Sequence, residues 1–166
     1  MDTAYFCDLY RYTYWANRKV WACVEQLNDE QFTQELDYSI GALRNQCIHT
    51  MGVESWWITF LATGTLQFLS FDDYPTRASV RAKWDEIERY VLGYLDSLTP
   101  DQLQREVHPD FWEDDPPIKL WQALLQVANH STDHRAQILA GLHRLGGPTV
   151  GQDYLDYLDE QQKQLH

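Results

Sequence analysis

Four long stretches of the chain repeat their apolar residues at helical steps. From about Thr3 to Leu27, the residues Phe6, Leu9, Tyr10, Ala16, Val20, Cys23, Val24 and Leu27 recur every three or four positions. Thr13 is the one polar gap, and neither Gly nor Pro interrupts the run, which predicts a first amphipathic helix. The acidic segment NDEQFTQELDYSIG reads as a linker. A second helix is predicted over about Ile40 to Ala62, with Ser39 as N-cap and Gly64 as stop. Its residues Leu43, Cys47, Met51 and Ile58 form one apolar face, and Val53, Trp56, Trp57 and Phe60 form another, so burial on both sides is expected.

The linker TGTLQFLSFDDYP ends at Pro75, where a third helix can begin. Val80, Trp84, Ile87, Val91, Leu95 and Leu98 follow a near-heptad seam that stops before Pro100. The segment LTPDQLQREVHPDFWEDDPP is polar and irregular, with a weakly signalled hairpin through Val107 and Phe111. A fourth helix follows Pro116 and Pro117 and runs to about Leu145, with Leu120, Leu124, Val127, Ser131, His134, Ile138 and Leu142 near one face. Gly146-Gly147-Pro148 ends it. A short last helix, about Asp153 to Gln162, carries Leu155 and Leu158. The pattern predicts an all-α four-helix bundle with a short C-terminal helix, as one domain over residues 1–166.

Composition narrows the function. Hydrophobic residues make up 44% of the chain, too many for a disordered one. The net charge of −12, with no basic patch, disfavours nucleic acid. No apolar run reaches the roughly 18 residues of a membrane span. Cys7, Cys23 and Cys47 form no C-x-x-C pair and have no visible activator, so they are read as core residues in a reducing compartment. The first residues, MDTAYFCDLYRYTYW, lack the features of a signal peptide, and a cytoplasmic protein is expected.

Candidate chemistry sits in NHSTDHRAQI, residues 129–138. His130 and His134 are four apart, which on a helix is about 40° around the axis and about 6 Å along it. Both imidazoles can address one metal ion, although such a pair alone is unspecific and is commonly a solvated surface feature. This pair lies on or beside the apolar face, where two unpaired imidazoles are costly. His49, midway along the second helix, can meet them across the bundle. Three imidazoles leave an open coordination position, the pattern of a catalytic metal. His143 faces away, His108 adjoins Pro109 in the irregular linker, and His166 is the last residue. Ser131 stands where a zincin has its glutamate, and no paired E-x-x-H of a di-iron bundle is present.

The segments YWANRKVW, SIGALRNQCIHTMGVESWWI and VANHSTDHRAQILAGLHRLG resemble the DinB/YfiT-like family of four-helix metalloproteins. The resemblance covers nearly the whole chain. Its most specific element is one histidine in helix two and H-x-x-x-H in helix four, matched here by His49, His130 and His134. It implies an up-down-down-up bundle with parallel second and third helices, a divalent metal such as zinc or nickel, and a homodimer. Relatives of this type include thiol S-transferases and a maleylpyruvate isomerase that use bacillithiol or mycothiol. Ala136 replaces a glycine frequent in the family, a packing change that leaves the ligands alone.

Two functions follow as expectations. One is a metal-dependent transferase acting with a low-molecular-weight thiol, its pocket lined by aromatics such as Tyr12, Trp15 and Trp56 or Trp57. Arg44 or Arg135 would then meet the thiol's carboxylates. The other is a non-catalytic metal-binding stress-response module, distinguished by a tight, Trp-filled space above the metal. A bundle whose histidines satisfy one another remains the third reading. Glu54 and Asp133 are possible partners for imidazole N–H groups, though each reads better as part of a solvated face. Catalytic and substrate-binding residues are not identified by the sequence.

Overall fold

The inward stripes of the four long segments meet in one core in the computed structural model, which describes residues 2–164. Helix α1 spans Thr3–Val24, and Asp2 caps it by accepting from the Tyr5 N–H. The expected linker after it contains a short helix α2, Asp29–Thr33, closed by a capping box between Asn28 and Gln31. Helix α3 spans Leu43–Thr63 and ends at Gly64 with φ of 74°, the left-handed C-cap expected of glycine. Helix α4 spans Arg77–Asp96 behind a Thr76–Ser79 capping box. Helix α5 spans Leu120–Arg144, and α6 spans Tyr154–Gln164. His166 lies outside the described residues.

The side-chain register between helices gives the topology. Along α1 and α5, Tyr10 bonds the Leu124 carbonyl and Asn17 meets Ser131 and Arg135, so the two helices advance together. Helices α3 and α4 also run parallel: Glu54 meets Trp84, while Ser55 and Thr59 share a cleft with Lys83, Glu86, Ile87 and Tyr90. The pairs α1–α4 and α3–α5 are antiparallel, since Cys7 lies by Asp96 and Arg18 by Glu88, whereas Gln46 lies by His134 and His49 by His130. This is the up-down-down-up bundle. Its long crossover is the 64–76 segment, which connects the parallel pair α3 and α4.

Val80, Trp84, Ile87, Val91, Leu95 and Leu98 are all buried, as are Leu120, Leu124, Val127, Ser131, His134, Ile138 and Leu142. On α3 the first predicted face is fully buried, but of the second only Trp57 is, with Val53, Trp56 and Phe60 part-exposed. Gly141 lets α5 approach α3 closely: a Cβ there would stand 2.6 Å from a Leu43 methyl.

Several expectations are corrected. Ser39 does not cap α3, which begins four residues later behind Ala42. A capping residue has extended backbone, but Ser39 has φ of 52°, the only positive φ outside glycine among the described residues. The hairpin exists, but Phe111 is not in it: β1 (Glu106–Val107) pairs antiparallel with β2 (Ile118–Lys119). On α6, Leu155 and Leu158 are exposed, and Tyr157 is the buried residue. It packs edge-on against Trp15 and Tyr12. Cys23 and Cys47 are core residues as expected, whereas Cys7 is only half-buried.

Candidate metal centre

Helix α3 presents His49, and two successive turns of α5 present His130 and His134, across the antiparallel α3–α5 contact. One ligand atom from each lies within 4.8 Å of the others. The Nε2 atoms of His49 and His130 are 3.2 Å apart. Two nitrogens bound tetrahedrally to one zinc at about 2.05 Å would stand about 3.3 Å apart, so the spacing of this pair suits a shared cation as well as a direct hydrogen bond between the rings. His143 is exposed at the end of α5, and His108 bonds the Asp115 carbonyl; neither joins the group.

The electrostatics suit a cation as well. Burial lowers the pKa of all three histidines. His130 falls to about 4, through burial first and then the neighbouring His134 and His49. The rings are therefore neutral at physiological pH, the form that ligates metal. His130 Nδ1 is buried and makes no hydrogen bond. His134 differs: its Nδ1 lies 3.0 Å from Gln46 Oε1, which accepts the N–H and leaves Nε2 with its lone pair.

Beside His49 opens a cavity of about 250 Å³, between α3 and the crossover. Ile48, Gly52, Val53 and Trp56 form one wall, and Phe68, Leu69 and Phe71 form the other. His49 is the one ionisable side chain in its lining. Trp56 is thus the pocket tryptophan; Trp57 stacks behind it at 4.3 Å and is buried. Two clefts of about 410 and 480 Å³ lie elsewhere and contain none of the three histidines.

Four other expectations change. Tyr12 and Trp15 are not at this site; they pack with Tyr154 and Tyr157, and Trp15 donates to Glu160 at 2.6 Å. Arg135 is fully buried and bonds Asn17, Ser131, Thr132 and Gln152, so it cannot receive a substrate carboxylate. Arg44 is half-buried beside Asn45 and does not line the cavity. Glu54 is not on a solvated face. It is fully buried and accepts from Trp84 Nε1 at 3.3 Å. Burial pushes its pKa up to about 7, while the Ser131 hydroxyl and the Arg135 guanidinium hold it down. Asp133 is exposed, as read, and bonds Gln137 rather than an imidazole.

Sequence comparison adds the decisive observation: the family model described as "DinB family" matches residues 1–165. The chain belongs to the DinB family. A solved DinB-like protein from Bacillus cereus ATCC 10987 is 18% identical, with a TM-score of 0.62 over 82% of this chain and 89% of that one. At that identity the likeness speaks for the fold alone. No curated protein matches the chain. The DinB bundle therefore carries here a three-histidine group able to hold a metal ion. Sequence reasoning passed over Gln46, three residues before His49, and Gln137, three residues after His134. Gln46 reaches His134 from the facing helix and Gln137 reaches Gln46, contacts that no spacing along the chain signals.

Proposed function

We propose that this DinB-family protein is a metal-dependent transferase acting with a low-molecular-weight thiol, and that His49, His130 and His134 hold one divalent cation, zinc or nickel. The observation that carries the reading is the convergence of three neutral imidazoles, one of which, His49, lines an open cavity. A cation held there would supply Lewis acidity, lowering the pKa of a coordinated thiol. The protein's own part is to keep the imidazoles unprotonated by burial and to offer an apolar wall beside them. At about 250 Å³ the cavity suits a small substrate. Its uncharged lining favours the apolar body of an electrophile over the carboxylates of the thiol.

The openness of the cavity favours the transferase over the tight, Trp-filled space of the non-catalytic module, whereas the basic residues expected to meet the thiol's carboxylates are not in its lining. No helix among the described residues is long and apolar enough to cross a membrane. Three free cysteines fit a cytoplasmic setting, and a homodimer is part of the proposal. The test is metal analysis of the purified protein beside His49→Ala, His130→Ala and His134→Ala, followed by thiol-consumption assays with small aromatic electrophiles. About one metal per chain, lost in each variant, supports the centre. A loaded protein that turns over no thiol favours the module, and a metal-free protein that takes up neither zinc nor nickel removes both.

A further inference from the structure

We infer that Asp133, Gln137 and Gln46 form a carboxylate-anchored amide relay that sets the tautomer and orientation of His134; its role in metal binding rests on the proposed centre. Gln137 Nε2 donates to Asp133 Oδ2 at 3.0 Å. Gln46 Nε2 donates to Gln137 Oε1 at 3.2 Å, and His134 Nδ1 lies 3.0 Å from Gln46 Oε1. The Ser39 hydroxyl also donates to Gln137 Oε1.

The polarity of this chain is forced from its far end. A carboxylate only accepts, so Asp133 requires the N–H₂ of Gln137. The oxygen of Gln137 then faces Gln46, which must answer with its own N–H₂. That turns the Gln46 oxygen to His134, whose Nδ1 must carry the proton. Reversing either amide sets oxygen against oxygen. The lone pair of His134 is thereby left on Nε2, the nitrogen not engaged by Gln46. Gln46 is 2% exposed, so water cannot readily replace it. His130 Nδ1 has no such partner, which makes His134 the oriented ligand of the three. Asp133, Gln137 and Gln46 are positioning residues, since none of them belongs to the histidine group itself.

The test uses ¹⁵N-labelled full chain, metal-free, with the His134 ring nitrogens read by long-range ¹H–¹⁵N correlation, and zinc affinity measured by chelator competition. Wild type should show protonated Nδ1 and bare Nε2. Gln137→Met touches no histidine, yet it should reduce the Nδ1–H population and weaken zinc binding, within the roughly 10- to 100-fold typical of such partners. Gln46→Met should do at least as much. The half-buried Gln137 carries the test if Gln46→Met does not fold. A wild-type His134 protonated on Nε2, or a Gln137→Met protein with unchanged tautomer and zinc affinity, overturns the relay. A wild type that binds no zinc sinks the metal centre instead, and the tautomer readout still decides the relay.

Discussion

Glu54 should make this protein less stable as pH rises through neutrality. Its folded pKa is about 7 against an ordinary 4.5, so the folded state binds the proton more tightly than the unfolded one. That contribution is fully present below the unfolded pKa and is lost as pH climbs through the folded value. For these two values, about 2 kcal/mol disappears between roughly pH 5.5 and pH 8. The histidines act in the opposite sense. Their lowered pKa values make acid destabilising from about pH 6.5 downward, toward about 4 for His130. A wild-type curve alone would mix the two. Glu54→Gln separates them, because the histidine contribution is common to both proteins. With chelator present, urea melts should show the variant gaining about 2 kcal/mol on wild type between those pH values, or roughly 4–8 °C in Tm for a chain of this size. A gap of the same size at both ends would refute the reasoning. It would mean that Arg135 and Ser131 keep Glu54 ionised throughout.

Four further outcomes follow from the same geometry. Arg135→Lys should cost about 3 kcal/mol in denaturant melts, because an ammonium cannot reproduce the guanidinium's bonds to Asn17, Ser131, Thr132 and Gln152; a loss under about 1 kcal/mol would contradict this. Zinc uptake should hold as pH falls below 6.5, because burial keeps protons off the three rings; a binding midpoint near 6.5 would count against it. Gly52→Leu should fill the cavity, since even a Cβ there stands 3.9 Å from Leu69. Zinc binding should survive while thiol transfer is lost, and retained turnover would move the substrate elsewhere. Tyr157→Ala should release α6, whose amides 154–164 would lose exchange protection while those of α3 and α5 keep theirs.

Periodicity alone determined the four long helices, because an amphipathic stripe has one way to be buried and the caps and breakers bound it. It also singled out the histidines: the four-residue step puts His130 and His134 on one side of a helix, and His49 falls on an interior face of another. Sequence spacing is silent on what crosses between helices. Glu54 lies about 140° from His49 on its helix and reads as solvated, but α4 packs against that side and buries it under Trp84. Arg135 reads as available to a substrate, yet Asn17 on α1 and Gln152 beyond α5 enclose it. Tyr12 and Trp15 share aromatic character with Trp56, but the chain's return through Tyr157 claims them. Ser39 does not cap α3 but stands at a positive φ with its hydroxyl on Gln137 of α5. A one-dimensional pattern determines which face of a helix turns inward. Which polar groups that face meets, and which wall the crossover builds beside the histidines, is decided by the packing of other helices.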